Sequence, residues 1–505
     1  MHNRLRQPHT WLIDLQDSLE QLSPQVLCGT VFILSTLALI PIWAHYDIVA
    51  RDGAHLYIPV AKLFLEGRFH EALYGTYKPI FPLPLYEFSI FLMAKTTGFD
   101  LELSGRLVSA LSFVLGSLGV YKVTELIFKN RLTALLSVLF FISNGELLDR
   151  SVDCLKESLL VCLVVWGNYY ILKGIYSERG TWFFFLGTSL FLLGALVRGT
   201  ALIFFGAWLI IGVFYKREGL TWRLMILSVP LLGVFLIGYF MPTLPIFRRS
   251  LSFIRFLSFD HWVLTPSIFF YMSQDFFREF LARSFYGIAV FGLLGLYYLR
   301  REYYAIHIMI VMVIFYFVCM KTGWNYTGRG SDRYILAPII WLIPIASYAV
   351  FRAITSSGKF LKYLAILAIV VCPMLFVGKA FTPPDQDRLA RKAAGLWILS
   401  QVGPHQDMIT TDERITFYGH GHILYLHDDL VLGTIDKKVA KRYPEGSDIV
   451  LSDIINPDRI RMPIAIEIRS SQGNLWKNYL DSLKIRPNRV FREIWVYLPG
   501  RIRTE

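Results

Sequence analysis

Apolar runs of membrane-spanning length recur along most of this chain, and no other feature restricts its fold as strongly. A helical span needs roughly 20 apolar residues because the hydrocarbon core of a bilayer is about 30 Å thick. Runs of this kind occupy 26–44, 104–127, 132–148, 158–175, 181–197, 199–215, 222–241, 284–299, 303–320, 334–353 and 361–378, about eleven spans. With 54% hydrophobic and 18% charged residues, the chain is too apolar for a soluble multidomain protein. The expected fold class is mainly α, a polytopic membrane helical bundle. Arg4 and Arg6 stand about twenty-five residues before the first run, and no small-residue cleavage site follows it, which reads as an uncleaved first span after a cytoplasmic segment 1–25.

The run 80–97 decides the topology. If it does not cross and the N-terminus is inside, the short loops with Lys129/Arg131, Lys173/Arg179, Lys216/Arg217/Arg223, Arg300/Arg301 and Arg352/Lys359/Lys362 all face the cytoplasm. If it crosses, all of them face outward. Interrupted by Pro82 and Pro84, the run is therefore read as a re-entrant or juxtamembrane helix on the outer face. This topology gathers the loops 45–103, 149–157, 242–283 and 321–333 on the extracytoplasmic side, together with everything after Lys379.

The C-terminal stretch changes character. Thr382-Pro383-Pro384 reads as a stiff linker, followed by a helical pattern at Leu389–Leu399 and short strand-like runs at Met408–Thr411, Ile449–Ser452 and Ile494–Tyr497. A second amphipathic stretch lies near Leu475–Leu483. Together they predict a small extracytoplasmic α/β domain over 380–505, beside a membrane domain over 26–379. The chain holds 51 basic and 38 acidic residues, of which residues 381–505 hold 18 and 16. The excess positive charge thus belongs to the membrane part, where basic loops fix topology, and nucleic acid is not an expected partner. The five cysteines show no metal-ligand spacing and suggest no disulfide framework.

Candidate chemistry concentrates after the first span, in RDGAHLYIPVAKLFLEGRFHEALYGTYKPIFPLPLY from Arg51 to Tyr86. Asp52, flanked by Arg51 and followed by Tyr57, is either a solvated interfacial charge or a general base at the membrane boundary. Lys78 precedes Pro79, Pro82 and Pro84, and a cation on so stiff a backbone suits a specific phosphate. Arg106 either snorkels to lipid phosphates or joins that site. Asp149 and Asp153 are four residues apart, which on a helix is one face, and either caps a helix or lines an acceptor site. Arg329, Arg333 and Tyr334 lie in GWNYTGRGSDRYILAP, where two guanidiniums can grip one phosphate or pair with Asp332. Trp324 and Tyr326 suit a sugar face or an interfacial belt. His261 in Asp260-His261-Trp262 sits beside Arg248, Arg249 and Arg255 and is open to substrate or metal contact, whereas His420 and His422 read as loop residues.

In these residues the chain resembles the multi-span GT-C glycosyltransferases that use polyprenyl-phosphate sugars, in particular the bacterial aminoarabinose-transferase-like and protein-mannosyltransferase-like branch. The resemblance rests on Arg51-Asp52, Lys78-Pro79, Gly105–Ser109, Arg150–Asp153, Leu193–Arg198 and Asp332–Pro338, in order over most of 25–340. It implies a polyprenyl-phosphate-linked sugar donor, a glycan, lipid or protein acceptor and a setting among membrane lipids. By the same resemblance Asp52 is the general base, Lys78 with Arg329 or Arg333 holds the lipid phosphate, and Asp153 lines the acceptor side. Family members often carry an acidic pair where this chain has Asp52-Gly53, and Pro-Pro where it has Pro79-Ile80. No cofactor is fixed by the resemblance, and a divalent metal ion is left open. Two rivals remain at this level: a transporter or flippase of a lipid-linked sugar, which calls for charges near the bilayer midplane, and a non-catalytic envelope scaffold, for which Asp52 and Lys78 are dispensable.

Overall fold

In a computed structural model, which describes residues 10–44, 46, 49, 52–74, 84–177, 180–214, 274, 277–278, 280–281, 287–300, 302–321, 333–355, 358–380, 386–404, 407–410, 413–418, 422–425, 455–456, 459–460, 463–467, 477–478, 481 and 485–498, the apolar runs are helices. The chain opens with α1 (Thr10–Gln21) and α2 (Pro24–Ala44). A single π-helical turn, Gly53–Tyr57, follows Asp52 and continues into α3 (Ile58–Leu65), α4 (Phe69–Tyr74) and α5 (Leu85–Thr97). The bundle then runs through α6 (Leu101–Phe128), α7 (Arg131–Ile142), α8 (Gly145–Ser151), α9 (Glu157–Tyr176), α10 (Gly180–Val197) and α11 (Ala201–Phe214). It resumes with α12 (Gly287–Tyr298), α13 (Tyr303–Lys321), α14 (Arg333–Thr355) and α15 (Lys359–Ala380). The expected span 222–241 lies outside the described residues.

Among the described residues α2, α6, α9 and α10 are long and apolar enough to cross a bilayer, and the pair α7–α8 makes a fifth span if counted as one. This is a multi-pass membrane protein. Helix α5 has 13 residues, about 20 Å of helix against a hydrocarbon core of about 30 Å.

The sequence reads 132–148 as one straight run, but the chain bends by 68° between α7 and α8. Asn144, fully buried, starts the new helix by accepting the N–H of Leu147 at 3.0 Å. Because α8 stops at Ser151, Asp153 falls beyond it, so the exposed Asp149 and the half-buried Asp153 do not share a helical face.

Apolar driving force between helices is weak in lipid, so close packing and interhelical hydrogen bonds carry the assembly. Ser35 and Ser117 tie α2 to α6 at 2.6 Å, and the Trp208 indole donates to Asn168 Oδ1 across α11 and α9 at 2.6 Å. His307 Nε2 meets the Phe204 carbonyl at 3.0 Å, and the Tyr304 hydroxyl donates to the Trp341 carbonyl at 3.1 Å. Each such tie contributes about 0.6 kcal/mol, with exceptional ones nearer 2.

After α15 come α16 (Gln386–Val402), β1 (Asp407–Thr410), α17 (Glu413–Tyr418), β2 (His422–Tyr425), β3 (Ile455–Asn456), β4 (Arg459–Ile460), β5 (Ile464–Glu467), β6 (Arg489–Phe491) and β7 (Ile494–Tyr497). Five strands form one mixed sheet in the order β2-β1-β5-β7-β6, with β1 parallel to β2 and β5, and β7 antiparallel to β5 and β6. Helix α16 lays Ala390, Ala394 and Ile398 on Ala465, Ile494 and Val496. The expected strand at Ile449–Ser452 lies outside the described residues.

Candidate active site

Where α2 ends, Trp43 and Tyr46 present two aromatic faces to Arg106 of α6. The guanidinium carbon lies 4.0 Å from the Trp43 ring centre and 3.6 Å from that of Tyr46. Arg106 Nε donates to the Val152 carbonyl at 3.0 Å, and Nη2 to the Trp43 carbonyl at 3.4 Å. A planar guanidinium can stack and donate at once, which an ammonium cannot. Arg106 thereby joins the end of the first span, α6 and the turn after α8. That turn holds Asp153, whose Oδ1 accepts the Cys154 N–H at 2.6 Å and faces the Tyr46 hydroxyl at 3.5 Å.

Asp52, half-buried, immediately precedes the π-helical turn, and its carboxylate does not cap it. Short π-helical segments are frequent at functional sites, since they re-aim side chains that an α-helix would stack. The turn begins at Gly53. A Cβ on Gly53 would lie 2.9 Å from Cys154 Cβ, 3.0 Å from the Cys154 carbonyl oxygen and 2.8 Å from Val49 Cγ2. No side chain fits, so the second carboxylate of an acidic pair cannot stand at this position. Among the described residues no three His, Cys, Asp or Glu side chains are grouped to hold a metal ion, and no step below runs through one.

Ionisable groups from three other chain segments, Asp52 among them, act on Lys156. Lys156 stands just before α9, with its ammonium 5.3 Å from the Tyr57 ring centre. Burial, and then Arg198, hold Lys156 below its ordinary value, against the upward pull of Glu87, Glu157 and Asp52. Arg198, just after α10, pairs with Glu157 at 3.5 Å. Glu87 on α5 is 2% exposed, and its Oε1 has no hydrogen-bond partner among the described residues. Burial pushes its carboxyl up to about 7, with Lys156 pulling the other way.

Tyr57, 1% exposed, meets Tyr86 edge to face at 5.3 Å. The Tyr86 hydroxyl donates to Ser109 at 2.8 Å, and Ser109 donates to the Leu155 carbonyl at 3.0 Å. Asp52, Tyr57, Arg106 and Asp153 thus all belong to the neighbourhood of the turn between α8 and α9. Arg51, Lys78, Arg329 and His261 lie outside the described residues. Arg333 and Tyr334 begin α14, and their side chains are outside the description. Sequence reasoning did not single out Glu87, Lys156, Glu157 or Arg198 as site residues. The one available signal was Glu87 as an acid inside the apolar run 80–97, which in a membrane protein points to function.

A model of the dolichyl-phosphate-mannose-protein mannosyltransferase family matches residues 78–246. No curated protein matches the chain in sequence. In three dimensions the chain is similar to ArnT from Cupriavidus metallidurans in the apo state, with a TM-score of 0.65 at 13% identity over 95% of this chain and 99% of that one. ArnT bound to undecaprenyl phosphate gives 0.64 at 14% identity, covering 94% and 98%. Archaeal oligosaccharyltransferase AglB from Archaeoglobus fulgidus, in complex with an inhibitory peptide and a dolichol-phosphate, gives 0.53 at 12% identity, covering 90% and 72%.

Proposed function

We propose that this chain, similar in fold to the solved ArnT and AglB structures, moves a sugar from a polyprenyl-phosphate donor to an acceptor hydroxyl, with inversion, at the extracytoplasmic face of a bacterial inner membrane. The N-terminus is cytoplasmic in this reading. Residues 26–379 form the catalytic membrane domain, and 380–505 an α/β domain on the outer side.

Asp52 takes the proton of the acceptor hydroxyl. The oxygen attacks the anomeric carbon from the face opposite the phosphate, the bond to the phosphate oxygen breaks, and the lipid phosphate departs with that electron pair. Lys78 with Arg329 or Arg333 binds the phosphate, Arg51, Tyr57, Arg106 and Tyr334 contribute to the same donor site, and Asp153 lines the acceptor side. Asp149 and His261 are further acceptor-side candidates. Each well-placed charge in a low-dielectric pocket can contribute about 3 kcal/mol at the transition state.

The observation that supports this reading is Lys156, a cation within electrostatic reach of Asp52, Glu87, Glu157 and Arg198 beside the end of the first span. Its test is transfer of radiolabelled sugar in membranes supplied with a panel of polyprenyl-phosphate sugars. Wild type is expected to label a glycan, lipid or protein acceptor, and Asp52→Asn and Lys78→Ala at matched expression are expected not to. Equal transfer by both variants refutes the assigned roles.

A further inference from the structure

The C-terminal region reaches back into the membrane-boundary site through Tyr418, with Phe417 packed beside it. Tyr418 ends α17, and its hydroxyl donates to Glu102 Oε1 at 3.1 Å while accepting the Val49 N–H at 3.1 Å. Its ring, 6% exposed, completes a small core with Val49, Ala54, Ile58 and Cys154. Lys392 of α16 places its ammonium 4.8 Å from the same ring centre. The hydroxyl therefore bridges two fixed points: a carboxylate on α6 and a backbone amide three residues before Asp52.

This arrangement is more than surface packing. Val49 is fully buried, so its N–H has no water to turn to, and an unmet buried amide costs about 1–3 kcal/mol. Burial and the charge of Glu102 raise the Tyr418 hydroxyl above its ordinary value, which keeps it protonated and able to donate. The segment it holds is bounded on its other side by Gly53 against Cys154. Asp52 lies between these two attachments.

We infer that Tyr418 is a positioning residue for Asp52, through which the C-terminal region sets the geometry of the candidate base. The inference rests on the transferase reading for the role of Asp52, and on its own hydrogen bonds for the hold on residue 49.

Tyr418→Phe is the decisive variant, since it keeps the ring and its packing and removes only the hydroxyl. Two measurements on the full chain separate the possibilities. The first is amide hydrogen exchange over residues 46–57, which is expected to quicken in Tyr418→Phe while α9 and α10 stay as in wild type. The second is transfer kinetics, where a misplaced base is expected to lower kcat by about tenfold. The KM for the donor is expected to stay within about twofold, because donor contacts are untouched. Glu102→Gln still offers an oxygen to the hydroxyl, so its kcat is expected to fall less than that of Tyr418→Phe. Unchanged exchange over 46–57, or unchanged kcat with quickened exchange, overturns the inference. Asp52→Asn assayed alongside keeps the two claims apart: full activity there refutes the transferase role of Asp52, whatever the exchange data show.

Discussion

Replacing Gly53 by alanine tests whether the approach of the π-helical turn to the turn after α8 fixes Asp52. The added Cβ meets the Cys154 carbonyl oxygen at 3.0 Å and Cys154 Cβ at 2.9 Å. Neither is the far end of a flexible side chain. The Cys154 backbone cannot easily retreat, because Arg106 holds the Val152 carbonyl at 3.0 Å and Ser109 holds the Leu155 carbonyl at 3.0 Å. Overpacking of this kind typically costs about 1–3 kcal/mol. The strain falls on the residue next to the candidate base, so a shift of a few tenths of an ångström is expected at Asp52. Misplacement by about 1 Å costs on the order of a hundredfold in rate, so a tenfold or greater loss of transfer is expected. Gly29→Ala in α2 is the control, as nothing lies within 4 Å of its added Cβ. Thermal denaturation in detergent and sugar transfer in membranes supply the two readouts. Gly53→Ala with the stability and activity of Gly29→Ala would falsify the argument that this backbone contact positions Asp52.

Three other perturbations follow from the same geometry. In Gly105→Ala the new Cβ lies 2.8 Å from Cys154 Sγ, so Cys154→Ala should relieve most of the loss, with a coupling of about 1 kcal/mol or more in a double-mutant cycle of denaturation midpoints. Glu87 is pushed up to about 7 by burial, above the roughly 4.3 of an unfolded glutamate. Between those values the unfolded chain has released a proton that the folded chain keeps, so stability falls as pH rises through the window and levels off above about 7. Glu87→Gln removes that dependence, and its advantage over wild type should grow across the window by up to about 4 kcal/mol; parallel pH profiles of the two denaturation midpoints contradict this. Arg106→Lys keeps the charge but loses the stack between Trp43 and Tyr46 and the fixed donor fork, at an expected cost of about 1–2 kcal/mol, measured by the same denaturation. An unchanged midpoint there means the stack is incidental.

The helices of the bundle were legible because spanning a bilayer is a local demand: each segment must satisfy its own backbone and present apolar side chains to lipid. The limits of α6, α9 and α10 fall within a few residues of the apolar runs at 104–127, 158–175 and 181–197. The break at Asn144 was harder to see, since Ser143-Asn144-Gly145 is a brief interruption in an apolar run and its 68° consequence depends on Asn144 being buried as a cap. The end of α8 at Ser151 separates Asp149 from Asp153, two carboxylates that spacing alone had set on one face.

Sequence by itself determined the membrane class, the apolar helices and the placing of Asp52 and Arg106 near helix ends, because those follow from the composition of contiguous stretches. Tertiary structure alone decided what surrounds them. Gly53 admits no side chain because Cys154 is packed against it. Glu87 leaves the ordinary carboxylate range because it is desolvated in the packed site, with Lys156 as its nearby countercharge. Arg106 is engaged because Trp43, Tyr46 and Val152 arrive around it from two other parts of the chain. Desolvation, close approach and charge pairing are properties of neighbours far apart in sequence, and only the fold brings those neighbours together.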